Sequence, residues 1–161
     1  MRKILFVCTG NTCRSPMAEA LLRRRVEQVS GLGGRVEVRS AGTSASSGEP
    51  PTDEAVQVMK RRNIDISGHR SRQVSPALFE WADVVLTMTE EQRAACMAAG
   101  APEGKVATVE EFAGTGKEVE DPVGKGLAAY EECAGELEEV VEQVVGRLQA
   151  QLTASGNGLA G

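Results

Sequence analysis

The run "KILFVCTGNTCRSP" places a thiol, Cys8, at the end of an unbroken apolar segment and a guanidinium, Arg14, six residues further on. Between them stand Thr9, Gly10, Asn11, Thr12 and Cys13, and Ser15 follows. A loop joining a strand end to a helix start presents backbone N–H groups with no partner inside the helix. Together with the helix dipole they make an anion site, and Gly10 and Asn11 tolerate the left-handed conformations that let successive N–H groups converge. Arg14 adds a planar fork of donors able to hold two oxygens of one phosphoryl group. The same groups favour a thiolate at Cys8 on the cradle floor, and Ser15 can give it a hydroxyl hydrogen bond. The pattern therefore points to a nucleophilic sulfur beneath a phosphoryl group, with Thr9 through Ser15 as the phosphate-binding set. A cysteine closing a buried strand is otherwise an inert apolar residue. What separates Cys8 from that class is its place between a core strand and a helix opened by Pro16.

The elements that must position these residues follow from periodicity. "KILFVC" reads as a central parallel strand covered on both faces. Pro16 suits a first helical position, and Ala18, Leu22, Val26 and Val29 share one helical face before "GLGG" stops the helix. "RVEVRSAG" alternates as a second strand. Thr52 caps a helix over "TDEAVQVMKRRNIDI", and Ser75 and Pro76 start a short helix ending at Trp81. "DVVLTM" is a third strand, a helix from about Thr89 to Ala99 stops at Gly100, and "KVATV" is a fourth strand. After the connection "AGTGKEVEDPVGKG", Tyr130, Ala134, Leu137, Val141, Val144, Leu148 and Leu152 recur at spacings of three and four in the longest helix. A single domain over residues 1–152 is expected, with 153–161 a disordered tail. Strands alternating with helices predict an α/β fold around a parallel sheet, whose ligands bind beyond the carboxyl ends of the strands. Cys8 stands at one such end.

The bulk numbers fit this frame: 161 residues, 41% hydrophobic and 25% charged, suit one globular domain. No apolar run reaches the roughly 20 residues of a membrane span, and "ILFVC" is too short for a signal-peptide core, so a cytoplasmic location without membrane partners is expected. Cys8, Cys13, Cys96 and Cys133 form no disulfide framework, and with His69 the one histidine neither a metal site nor a cofactor is expected. The net charge of −5 argues against a nucleic-acid partner. It is unevenly spread: residues 1–72 hold 13 basic and 7 acidic side chains, residues 73–161 hold 5 and 16. If the first half surrounds the site, the site favours anions.

"VCTGNTCRSPMAEALL" resembles the signature of the low-molecular-weight protein tyrosine phosphatase family, and "VRSAG", "ISGHRSRQV", "ADVVLTMT" and "DPVGKG" follow in the family's order over about residues 1–150. The resemblance implies a flavodoxin-like core: a four-stranded parallel sheet of order 2-1-3-4 with helices on both faces. It implies that Asp121 of "EDPVG" protonates the leaving group, with its neighbour Glu120 the nearest rival. Cys8 would attack phosphorus to give a cysteinyl-phosphate, which a water activated by Asp121 would hydrolyse, with Arg14 steadying the equatorial oxygens. Asn11, Ser40 and His69 match positions that buttress the loop, whereas Arg72 reads as a solvated charge. Phosphorylated proteins are the implied partners, inorganic phosphate the product, no metal is called for, and a monomer is the simplest state.

The phosphorylated residue turns on Thr12. Tyrosine-directed members carry a branched aliphatic residue there, while the bacterial protein arginine phosphatases resemble this chain in carrying threonine. Val123 and Gly124 stand where tyrosine-directed relatives place aromatic residues, although arginine-directed relatives can have phenylalanine after the proline. Phosphoarginine is therefore expected ahead of phosphotyrosine. Arsenate reduction would need a further cysteine pair, and Cys96 and Cys133 read as helix-packing residues. A phosphoprotein-binding module without catalysis would not need Cys8, Arg14 and Asp121 together. Finally, Cys13 is placed to trap an oxidised Cys8 as a disulfide, protecting the nucleophile from over-oxidation.

Overall fold

In the computed structural model the backbone is described for residues 1–159 and side chains for 1–154. The first strand, β1 (Arg2–Cys8), is fully buried from Ile4 onward because both its faces are covered. Alternate side chains divide between two cores: Ile4, Phe6 and Cys8 enter the larger, Leu5 and Val7 the smaller. Strand β2 (Val36–Gly42) lies parallel to β1 on one side and β3 (Val84–Thr87) on the other, with β4 (Val106–Thr108) beyond β3, so the order 2-1-3-4 is found as expected. The register sets Ser40 beside Phe6 and Gly42 beside Cys8.

The larger core takes its helical side from α1 (Arg14–Gln28), α2 (Asp53–Lys60), the five-residue α5 (Val109–Ala113) and α6 (Leu127–Leu159). The smaller core is closed by α3 (Pro76–Trp81) and α4 (Glu90–Ala98), through Leu78, Phe79 and Cys96. Thr52, Ser75, Thr89 and Thr108 cap α2, α3, α4 and α5 by accepting a backbone N–H from the first turn. Strand order reverses between β1 and β3, so Cys8 ends beside the point where α/β sheets open a crevice.

Four expectations shift. Helix α1 begins at Arg14, so Pro16 is its third residue; its missing N–H is still one of the first-turn groups that have no helical acceptor. Helix α2 stops at Lys60 rather than running on to Ile66, because the chain turns back through Asn63 at φ 61°. The strand predicted over "KVATV" ends at Thr108, and Val109 opens α5, a helix too short to show a period. Helix α6 runs on past Leu152, the last residue of the expected apolar stripe, to Leu159: once nucleated, a helix gains one hydrogen bond per added residue. Residues 160–161 lie outside the described residues. Among the described residues no helix is long and apolar enough to cross a membrane.

Candidate active site

Asn11 organises the loop. It is fully buried and sits at φ 57°, a left-handed conformation that asparagine adopts more readily than most residues. Gly10 is not left-handed, so the loop's sharp turn falls on Asn11 alone. The Asn11 backbone N–H points at the Cys8 sulfur, 3.3 Å away. Its side-chain amide donates to Ser15 Oγ at 2.8 Å and to Ser40 Oγ at 3.0 Å, and its Oδ1 accepts the Arg72 N–H at 2.9 Å. Having accepted from Asn11, the Ser15 hydroxyl can turn its own hydrogen toward Cys8 Sγ, 2.9 Å away. His69 Nε2 lies 2.9 Å from the Asn11 carbonyl, which can only accept, so that nitrogen carries the ring proton. Ser40 and His69 thus reach Cys8 only through Asn11. Arg72, read from sequence as a solvated charge, contributes its backbone amide to the same hub.

Helix α1 is open to an anion. No side chain caps it and its first turn holds no acidic residue, whereas α2, α4 and α5 each have a capping threonine and two acidic residues there. Arg14 is buried at the mouth; its NH1 donates to the Val119 carbonyl at 3.0 Å and its Nε has no hydrogen-bond partner. A buried donor left free is costly, which fits a guanidinium held ready for oxygen atoms of a ligand.

Asp121 comes to the same place. Its Oδ2 lies 3.8 Å from Arg14 NH2, and its Oδ1 accepts the Val123 N–H at 3.1 Å, fixing the turn after the Asp-Pro pair. Glu120 stands further out, at the rim: it is 88% exposed and faces Lys125 at 3.9 Å, which leaves Asp121 as the carboxylate paired with Arg14. Cys13 Sγ is 3.9 Å from Asp121 Oδ1; burial, then the nearby Cys8 and Asp121, push its thiol up to about 12. Cys133, expected only to pack in the last helix, shares the larger core with Cys8 and Cys13 and lines a small cavity of about 120 Å³ under Asp121 and Pro122. Burial raises it to about 12 as well. Cys96 lies in the other core, on the far face of the sheet.

Several contributors carry no signal in local spacing. Gly42 lies so close under the loop that a Cβ there would sit 2.4 Å from the Thr9 carbonyl oxygen. Gln92 donates to Thr9 Oγ1 at 3.1 Å while closing the capping box of α4. The Thr52 N–H donates to the Thr12 carbonyl at 2.9 Å, tying the start of α2 to the loop. In front of Arg14 opens a cleft of about 540 Å³, bounded by Glu91 and Gln92 of α4 and by Glu120, Asp121, Val123 and Lys125 of the loop after α5. Among the described residues no aromatic side chain lines it. The floor therefore comes from the basic half of the chain and the rim from the acidic half.

This arrangement suits in-line attack by sulfur on a phosphoryl group bound by amides and a guanidinium, with a carboxylate facing the leaving atom. Comparison with known proteins agrees. A sequence model described as low molecular weight phosphotyrosine protein phosphatase matches residues 3–154. A protein-arginine-phosphatase of Bacillus subtilis (strain 168) is 40% identical over 148 residues, 91% of this chain and 96% of that one. A probable low molecular weight protein-tyrosine-phosphatase, EpsP, of Ralstonia solanacearum is 36% identical over 154 residues, covering 93% and 98%. Among solved structures, a cysteine-to-serine variant of the YwlE arginine phosphatase superposes with a TM-score of 0.83 at 39% identity, covering 91% of this chain and 95% of that one. In that structure the active-site serine is phosphorylated.

Proposed function

The chain belongs to the low molecular weight phosphotyrosine protein phosphatase family, and on that premise we propose that it is a cysteine-dependent protein phosphatase whose favoured substrate is phosphoarginine in proteins. The observation that carries the catalytic reading is the pair of donors on Cys8, an amide N–H and a hydroxyl, beside a helix that opens with a buried Arg14 whose Nε has no partner. Cys8 attacks phosphorus, the bond to the leaving nitrogen breaks, and Asp121 gives that nitrogen a proton, leaving a cysteinyl-phosphate. Asp121, now ionised, takes a proton from water as the water attacks phosphorus and returns the sulfur to Cys8 as thiolate. Ser15 steadies that sulfur as it leaves, and Arg14 with the loop amides holds the three equatorial oxygens throughout. The phosphorylated serine of the superposed variant supports an intermediate on the residue in the cysteine's place.

Relatives named for arginine and for tyrosine match at comparable identity, so the choice of leaving group rests on the cleft. Thr12 puts a hydroxyl in the loop, Val123 is 53% exposed, and no described aromatic side chain offers a wall to a phenol ring. Phosphotyrosine is the second reading, supported by the tyrosine-directed relatives. Arsenate reduction is disfavoured because Cys96 is separated from Cys8 by the sheet. The site is complete within one chain, which supports a monomer, and four free cysteines fit a reducing cytoplasm. Cys13 serves as redox partner: peroxide converts the Cys8 thiolate to a sulfenic acid, and the Cys13 thiol, losing its proton, displaces water to form the disulfide. The deciding experiment compares kcat/KM on phosphoarginine and phosphotyrosine peptides for wild type and Thr12→Ile. The wild type should prefer phosphoarginine, and the isoleucine should move the preference toward phosphotyrosine by about tenfold or more. Equal preference in the two enzymes would refute the assignment of Thr12.

A further inference from the structure

The cradle floor and the cleft rim carry opposite charge. On the floor are the uncapped start of α1 and the buried Arg14 with its free Nε; both call for an anion. On the rim are Glu91, from the first turn of α4, Glu120, beside Asp121, and one cation among the described residues, Lys125, so the carboxylates outnumber the basic group there. The two elements are tied together, since Glu118 Oε2 accepts the Glu90 N–H at 2.5 Å. Glu90 is occupied by Arg93 at 3.1 Å, while Glu91 has no ion-pair partner among the described residues. Among the described residues the one cation paired with Glu120 is Lys125, 3.9 Å away, and both side chains are largely in water, so that pair is loose.

Carboxylates at the mouth of a phosphate site repel the incoming dianion and slow its capture. Asp121 is needed for proton transfer; Glu91 and Glu120 are not. Their presence makes physical sense if the substrate brings a cation next to its phosphoryl group. A phosphorylated guanidine does this: its phosphoryl oxygens are anionic and the attached CN3 plane is positive. A phosphorylated phenol presents the same anion followed by a neutral ring.

We propose that Glu91 and Glu120 are specificity-determining residues, forming a cation-accepting rim that recognises the guanidinium of phosphoarginine while the floor holds its phosphoryl group. The proposal rests on the phosphoarginine reading and adds the residues that create the preference. Each carboxylate acts across roughly 6–8 Å of partly screened solvent, which corresponds to about a threefold effect, so the pair accounts for about tenfold in selectivity.

The test is the double variant Glu91→Gln/Glu120→Gln, assayed on phosphoarginine and phosphotyrosine peptides with identical uncharged flanks at about 50 and about 300 mM salt. For phosphoarginine, kcat/KM should fall several-fold, mainly through KM; for phosphotyrosine it should rise, because repulsion of the dianion is removed. The wild-type preference should shrink at high salt, while that of the double variant stays flat. Glu91→Lys should lower the preference further than Glu91→Gln. A wild type that cleaves phosphoarginine, but whose preference survives the double substitution within twofold at both salt concentrations, overturns the rim alone. A wild type that cleaves only phosphotyrosine overturns the substrate assignment and the rim with it.

Discussion

Replacing Gly42 with alanine probes the site with a single methyl group. The new Cβ would lie 2.4 Å from the Thr9 carbonyl oxygen and 3.0 Å from both the Asn11 nitrogen and Ala45 Cβ. The nearest of these is backbone, so no side-chain rotation relieves the contact, which is about 0.6 Å closer than real Cβ atoms come. Gly42 is not in a left-handed conformation, so alanine carries no conformational penalty there and the effect is steric. Relief requires the Thr9 carbonyl to move, which weakens its hydrogen bond from the Ser44 N–H, 3.0 Å long. Overpacking of this kind costs about 1–3 kcal/mol and the hydrogen bond about 1 more, giving roughly 2–4 kcal/mol out of a typical total of about 5–15. Thr9 is bonded to Cys8, so the proposed nucleophile and the Asn11 N–H shift with it, and a displacement near 1 Å costs about 100-fold in kcat. Urea unfolding and steady-state hydrolysis of an aryl phosphate measure both quantities, with Gly68→Ala as the control because its Cβ would meet nothing within 4 Å. A Gly42→Ala protein that stays within 0.5 kcal/mol (about twofold in folding equilibrium) and threefold of wild-type kcat would refute the reasoning.

Asp121→Asn should lower kcat by about 10²- to 10⁴-fold on poor leaving groups and far less on activated aryl phosphates, since only the former need the proton; equal losses on both would remove Asp121 from that role. Stability should fall steeply in alkali. Burial raises Cys13 and Cys133 to about 12 and Cys96 to about 11 from an ordinary 9.0, so the unfolded chain releases protons that the folded one retains. Stability that is complete below about pH 9 is therefore lost as pH rises toward 11–12, by about 1 kcal/mol per thiol between pH 9 and 10. Cys96→Ala, distant from the site, should flatten that slope by one thiol's share in denaturant titrations, and an unchanged slope would contradict the assignment. Mild peroxide followed by peptide mapping should find Cys8 joined to Cys13; a Cys8 sulfinic acid with free Cys13 would reject the protective disulfide.

The sequence discloses β1, the loop and α1 because an unbroken apolar run, a turn-competent Gly-Asn pair and an early proline are all local signals. The hub at Asn11 is not local. Its partners Ser40, His69 and Arg72 lie 29, 58 and 61 residues away, and only the parallel register of β1 with β2 and the return of the 67–74 loop bring them in. Family resemblance points to Ser40 and His69 without saying that both act on Asn11. Gly42 becomes legible once Cys8 and Gly42 are known to be register partners. Charge counted by halves implied an anion-favouring surround, which describes the floor; the rim is built by residues 89–125, from the acidic half of the chain. Helix α5 escaped because five residues do not complete two turns.

Val119 offers a last consequence. Its side chain does no chemistry, yet its N–H donates to the Met88 carbonyl at the end of β3 and its own carbonyl receives Arg14, two residues before Asp121. One peptide segment thus ties both Arg14 and the approach to Asp121 to the end of β3. The Val119 side chain packs in the larger core, and proline at 119 would delete the amide that anchors this segment to the end of β3 while keeping the carbonyl that receives Arg14. Selection at such a position acts on the course of the main chain, so amino-acid identity there understates what the residue does.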